Sequence, residues 1–340
     1  MTMYCCPNCF RNREVQTIIG SISTEKGDCS FCGSKSLIIV DSREMAESFA
    51  QPMSLYRVSK DGKDTLGELM QKEWEIFNLD SKKANDLLKS IFEDESTIDP
   101  NLFTKKVINY AKHSPESKEI VDRWNNLRNE IINKNRFFIE HAFEHDSLEK
   151  LLVEKKKKYT TGTLFYRGRI SDKGGFDRDK IGKPPAKKAT SGRANPEGIP
   201  YLYLSSDIET TLYETRATYL DYITIGTFEL TEDIEIVKLR TVDITNPFEE
   251  NLFDRLVNQP FLQILESELS RPLRRQDSDL EYLPTQYLCE FIKYSGLEGV
   301  EYGSAMRKGG VNIAFFDDGK FSCIDIKTVE VENIEISTTH

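Results

Sequence analysis

Five of the seven cysteines lie within the first 32 residues. Four of them form two pairs, Cys6-Pro7-Asn8-Cys9 and Cys29-Ser30-Phe31-Cys32, with nineteen residues between the pairs. Each such turn aims two sulfurs at one ion, and two turns complete a closed tetrahedral site with no position left for water. The spacing therefore predicts a structural zinc ion held by Cys6, Cys9, Cys29 and Cys32. Gly33 follows Cys32 directly and suits a turn that needs a positive φ. Cys5 is a spare thiol, since the two-residue spacing favours Cys6. The competing reading is a redox pair or scattered buried thiols. A segment this small buries little surface, so a bound metal would supply much of its folding free energy.

A second pair with chemical potential is Arg136 and His141, whose spacing loosely resembles the active-site motif of HEPN ribonucleases. Five helical steps turn through about 500°, leaving the two side chains about 140° apart. They share no face unless the helix ends between them or a second chain completes the site, so they read as surface or interface residues. His113 and His145 have no companion arrangement and read as ordinary exposed or half-buried histidines.

Bulk properties narrow the classes. The chain has 340 residues, a formal net charge of −10, 38% apolar residues, 19 Phe and 14 Tyr. That length suits two or three domains and that composition supports a real core. An acidic surface repels a phosphate backbone, so nucleic acid is not the expected partner. No apolar run approaches the roughly 18 residues that span a bilayer, and the start lacks the layout of a signal peptide. The expectation is a cytoplasmic protein with no membrane partner, whose crowded cysteines ligate metal rather than form disulfides.

Three segments follow from periodicity and punctuation: residues 1–45, zinc-ribbon-like; 46–160, helical; and 161–330, mixed. In the second, Leu66, Leu69, Met70, Trp74 and Phe77 form one helical stripe. Ile120, Trp124, Leu127, Ile131 and Phe138 form another, on a helix expected from Pro115 to Phe143. Shorter helices are expected over Ala84–Glu93 and Leu102–Ala111. The run Lys155–Lys158 reads as a solvated helix end, and Gly162 closes the segment. In the third, strands are expected at Thr163–Tyr166, Tyr201–Leu204, Ile223–Leu230, Ile234–Leu239 and Gly309–Phe316, the last preceded by Gly299–Tyr302 and a turn-like Gly303-Ser304. Helices are expected at Ile208–Tyr219 and Pro284–Tyr294. The polar stretch from Ser171 to Pro200 is a long loop, of a length that usually has a task. Strands and helices mix without regular alternation, which predicts an α+β domain rather than a doubly wound sheet. No GxGxxG follows a strand, which disfavours a Rossmann dinucleotide site.

The third segment resembles the RES domain family. The resemblance rests on Leu164-Phe165-Tyr166-Arg167-Gly168-Arg169, on Gly192 to Ser205, on Glu209 to Glu214, on Leu283 to Leu288, on Gly299 to Ser304, and on Gly310 to Phe316. Each piece is short, and their order and spacing carry the match. The resemblance implies a relative of the ADP-ribosyltransferase fold, preceded by a HEPN-like helical module and the cysteine segment. It implies an NAD-consuming activity of the toxin or defence type, with an antitoxin or other regulatory protein as partner. The N-terminal half departs from the compact toxins, which suggests sensing, targeting or autoinhibition.

The resemblance places the family's Arg, Glu and Ser on Arg167, Glu214 and Ser304. It makes Arg193 a second cation in the same pocket, and adds Tyr166, Tyr201, Tyr203 and Asn195 as candidate nucleotide-binding residues. Cleaving the nicotinamide–ribose bond leaves an oxocarbenium-like ribose, which a carboxylate such as Glu214 stabilises. Guanidinium forks suit a pyrophosphate or an incoming inorganic phosphate. Ser304 would hydrogen-bond to ribose or nicotinamide; no Ser-His-Asp arrangement makes it a nucleophile. The expected reaction is NAD cleavage with phosphate or water as acceptor. The alternatives are ADP-ribosyl transfer to a macromolecule and non-catalytic nucleotide binding. The blander readings are an Arg167–Glu214 ion pair, a mere turn at Ser304, and core packing for the tyrosines.

Overall fold

The computed structural model describes residues 2–140, 143, 145–240, 246–249, 251–271 and 279–334. The chain forms two compact units: Met1–Glu119 with Val242–Pro260, and Ile120–Thr241 with Phe261–His340. These do not coincide with the three segments read from the sequence. The cysteine segment and most of the helical segment share the first unit, and the reason is visible in the packing. Phe10 follows Cys9 and packs, tilted, against Phe49 and Phe77, with ring centroids 5.9 and 5.8 Å away. The turn is also stitched to the following chain by Asn78 N–H to Cys9 O at 2.8 Å and Arg11 N–H to Ile76 O at 2.6 Å. The cysteine segment thus borrows a core from its neighbour.

In chain order the first unit contains β1 (Tyr4–Cys5), α1 (Arg13–Ile22), β2 (Lys26–Gly27), β3 (Leu37–Ile38), β4 (Val40–Asp41), α2 (Ala46–Ser54), β5 (Tyr56–Val58), α3 (Leu66–Trp74), α4 (Ser81–Ile91), β6 (Val107–Asn109) and α5 (Tyr110–His113). Strand β1 pairs with β4, and β2 with β3. Helix α3 starts at a capping box formed by Thr65 and Glu68. The helix expected over Leu102–Ala111 is replaced by one 3-10 turn at Pro100–Phe103, then β6 and the short α5. The β-branched Val107 and Ile108 pair with Val58 and Arg57 instead of coiling.

Helix α6 (Pro115–Asn133) contains the boundary between the units and stops ten residues short of the expected Phe143. Arg136 lies beyond its end and is exposed; His141 lies outside the described residues. The second unit continues with α7 (His145–Val153), β7 (Lys156–Tyr159), β8 (Leu164–Ser171), β9 (Leu202–Ser205), α8 (Ile208–Thr215), β10 (Tyr222–Leu230), β11 (Ile234–Lys238), α9 (Leu252–Ser270, which holds the other boundary), α10 (Leu283–Tyr294), β12 (Gly299–Gly303), β13 (Val311–Phe315) and β14 (Phe321–Glu330). One eight-stranded sheet runs in the order β14-β10-β8-β9-β13-β12-β11-β7. Its neighbours are antiparallel except β11 and β12. The architecture is mixed α+β, as expected.

The lysine run is not a helix end. Strand β7 forms the sheet edge against β11, where lysines discourage further pairing. Lys157 Nζ and Tyr159 Oη each donate to Glu301 Oε2 at 2.8 Å, and Glu301 is 1% exposed. A buried carboxylate needs such partners, so the strand is fixed by a charge that the sequence pattern did not reveal. Helix α8 ends at Thr215, short of the expected Tyr219, because Arg216 turns left-handed at φ 51°.

Two cores flank the sheet. One gathers Trp124, Phe261, Leu265, Leu288, Ile292, Val300 and Ala314. The other gathers Phe165, Leu202, Leu204, Phe228, Ile313 and Phe315, closed by Ile181 from the long loop. Leu202 and Leu204 face one core while Tyr203 faces the other, as strand alternation requires. Among the described residues no helix is long and apolar enough to cross a membrane.

Candidate active site and metal centre

Strand pairing sets four residues in a row across β8, β9, β13 and β12: Tyr166 opposite Ser205, Ser205 opposite Asn312, Asn312 opposite Tyr302. Directly opposite residues share a face, and all four line one cavity of about 330 Å³. Arg167, Arg193, Tyr203, Thr211, Glu214, Arg216 and Tyr282 line it as well. The volume falls in the range of small-molecule pockets, about 300–1,000 Å³. A larger cavity in the first unit, about 710 Å³ and lined by Met3, Phe31, Phe92 and Phe103 among others, borders no buried polar atom lacking a partner.

Helix α8 brings Glu214 to the cavity. Asp207 caps the helix by accepting from Thr210 N–H at 2.8 Å. The helix lies close on β8 because Gly168 has no side chain: a Cβ there would sit 2.8 Å from Thr211 Cγ2 and 2.9 Å from Thr215 Cγ2. Thr211 Oγ1 donates to Tyr166 O at 3.1 Å and fixes the contact. Glu214 Oε1 accepts from Ser304 Oγ and from Asn312 Nδ2, each at 2.6 Å. No hydrogen bond to Oε2 is found among the described residues, so one carboxylate oxygen is held and the other has no partner in the protein.

Ser304 is both a turn residue and a neighbour of the carboxylate. Its hydroxyl accepts from the N–H groups of Met306 and Arg307, both at 3.1 Å, while donating to Glu214. Arg307 reaches back to Glu209 at 2.5 Å and ties the same turn to α8.

Arg167 and Glu214 form no ion pair with each other, so that blander reading fails. The Arg167 Nη1 donates to Tyr203 O at 2.9 Å, and its Nε is sealed from solvent without a partner. Burial, reinforced by the nearby Arg169, pulls this guanidinium down to about 10; it remains charged at neutral pH. A half-buried cation with no carboxylate partner among the described residues carries a desolvation cost that an anionic ligand would offset. Arg193 stands at the carbonyl end of α9, with Nη1 3.3 Å from Leu269 O and 3.4 Å from Ser270 O, where a cation is favoured.

The remaining candidates divide. Tyr166 and Tyr203 line the cavity; Tyr201 and Asn195 do not. Tyr201 is 1% exposed and packs on Phe316, with centroids 4.9 Å apart. Asn195 knits the loop: its Nδ2 donates to Thr190 O, Pro196 O and Ile199 O, all at 3.0 Å, and its Oδ1 accepts from Tyr203 Oη at 2.7 Å. Gln286 of α10 holds the loop from the other side through Gly192 O at 2.7 Å. Ser205, Thr211, Arg216, Tyr282, Tyr302 and Asn312 were not singled out from the sequence. Asn312 offered a signal, an amide inside the apolar run Val311–Phe315; the others did not.

In the first unit the sulfurs of Cys6, Cys9, Cys29 and Cys32 all lie within 4.8 Å of one another. Cys6 and Cys32 are 3.4 Å apart, Cys9 and Cys29 3.3 Å. Zinc–sulfur bonds of about 2.3 Å make a tetrahedron with edges of about 3.8 Å, so the four thiols fit zinc, and no disulfide joins them. Phe31 and Cys32 N–H groups approach Cys29 Sγ at 3.5 Å, and Gly33 turns at φ 76°. Cys5 belongs to β1 and stays outside the cluster.

Residues 167–337 match the RES domain model, and the chain belongs to the RES domain family, which is associated with NAD and with toxins. A solved structure, the crystal structure of the M. tuberculosis MbcT–MbcA toxin–antitoxin complex, is similar at 15% identity, covering 55% of this chain and 92% of that one, with a TM-score of 0.34. No curated protein matches the chain.

Proposed function

We propose that this chain cleaves the nicotinamide–ribose bond of NAD in the cavity of its second unit, with inorganic phosphate or water as acceptor. The observation that carries the reading is the pairing, in one cavity, of a guanidinium at Arg167, whose Nε has no partner and which meets no carboxylate among the described residues, with a carboxylate at Glu214 whose second oxygen is free. Arg167 and Arg193 grip the pyrophosphate, or hold phosphate beside the ribose. As the bond breaks, its electron pair leaves with nicotinamide and neutralises the ring. The cation left on the ribose is stabilised by Glu214. Phosphate then attacks to give ADP-ribose phosphate, or water attacks to give ADP-ribose and a proton. Ser304 positions the carboxylate, and Tyr166 and Tyr203 form the walls.

The first unit contributes a zinc ion held by Cys6, Cys9, Cys29 and Cys32. With four thiolates and no open position it supplies folding free energy rather than a reactive water. The fold of the second unit is taken as kin to the ADP-ribosyltransferases, and the setting as a toxin or defence effector restrained by a protein that covers the cavity. Products identified after incubation with NAD test the reaction. Free ADP-ribose or its phosphate supports it; a labelled macromolecule points to transfer, and intact NAD to mere binding.

A further inference from the structure

We infer that Asn312 is a positioning residue for Glu214, and that Ser205 sets the orientation in which it works; this rests on the reading of Glu214 given above. Asn312 is 6% exposed and Ser205 5%. They face each other across β9 and β13, in strands whose other residues are almost all apolar. An amide and a hydroxyl placed there cost stability unless fully bonded, and both are. Ser205 Oγ donates to Asn312 Oδ1 at 2.8 Å, and Asn312 Nδ2 donates to Glu214 Oε1 at 2.6 Å.

The direction of this chain follows from chemistry rather than from density of atoms. A carboxylate only accepts, so the amide must turn its NH2 toward Glu214 and its oxygen toward Ser205. A hydroxyl at Ser205 can then donate, which locks that choice. Ser304, in the turn between β12 and β13, reaches the same Oε1. Two donors on one oxygen, from two elements, fix the rotation of the carboxylate and leave Oε2 toward the ligand. A group aimed this way lowers the barrier without touching substrate.

The test uses the full chain and four variants, with kcat and KM for NAD measured beside thermal melting. Asn312→Ala is expected to lower kcat roughly 10–100-fold, the usual scale for a residue acting through another, with KM little changed and melting lowered because Ser205 loses its partner. Asn312→Asp keeps the shape and the Ser205 bond but sets a like charge against Glu214, and is expected to lose more. Ser205→Ala, which leaves the amide free to flip, is expected to lose less than Asn312→Ala. In Asn312→Ala combined with Glu214→Gln, turnover is expected to match Glu214→Gln alone, since positioning has nothing left to act on. Parental kcat in Asn312→Ala, or losses that multiply in the double variant, overturn the inference; should Asn312→Ala not fold, parental kcat in Asn312→Asp does the same. If Glu214→Gln is inactive while Asn312→Ala is not, only this inference fails. A parent chain inert toward NAD overturns it together with the proposed function.

Discussion

In the proposed reaction Arg167 and Glu214 divide the work of the cavity between anion capture and cation stabilisation, and each role has its own kinetic signature. Replacing the carboxylate by its amide deletes charge and little else. Glu214→Gln is therefore expected to keep the fold and lose roughly 10²–10³ in kcat, the scale of one lost electrostatic stabiliser. Arg167→Ala removes a grip on phosphate, so NAD capture should weaken, read as a higher Kd by calorimetry; unchanged affinity and turnover would remove Arg167 from the site. Much of this was legible at the level of residue identity. Arg167, Arg193 and Glu214 line one cavity, and Ser304, which does not line it, bonds to Glu214. What stayed hidden was the row Tyr166, Ser205, Asn312 and Tyr302, because it exists only through strand register, and register between distant strands is not written in local spacing.

At the scale of elements, helix α8 works because β8 lets it approach. Gly168→Val should drive branched carbon into Thr211 and Thr215, costing about 1–3 kcal/mol of stability and lowering turnover by displacing Glu214. Thermal melting and kcat should fall together; a variant with parental values for both would contradict the packing account. The start of α3 gives a pH test. The Thr65 N–H holds Glu68 down to about 2, below the unfolded carboxylate value of about 4.3. The depressed value means this contribution is complete above the unfolded pKa and vanishes as pH falls toward 2. Glu68→Gln should melt lower than the parent at pH 7 and close to it near pH 2. In the second unit β8, β9, β10, β11, β13, α8 and α10 were readable from periodicity and punctuation, whereas in the first unit α3 and α4 were read but α1, α2 and the short strands were not. The lysine strand β7 was not, since its register depends on Glu301, 142 residues beyond Tyr159.

On the scale of the molecule, the two units separate the metal from the proposed reaction. The first builds a thiol cluster and a small aromatic core; the second builds the sheet and its cavity. The zinc content of purified protein should be about one per chain, the number a closed four-thiolate site takes. It should vanish in Cys6→Ser with Cys29→Ser, with the first unit destabilised. A metal-free chain that is fully folded would reject the structural-zinc reading. The four-cysteine cluster was legible because two short spacings suffice to specify it. The division into units was not, because Phe10 joins the cysteine turn to Phe49 and Phe77 through packing that spacing does not encode.

The central claim, that Arg167 and Glu214 act on one bound dinucleotide, is tested most directly by following NAD with purified protein, with and without phosphate, in the parent and in Glu214→Gln. The expected result is loss of NAD with release of nicotinamide by the parent, an ADP-ribose product whose form follows the acceptor, and near silence from the variant. Equal consumption by parent and variant, or none by the parent in either buffer, would contradict it.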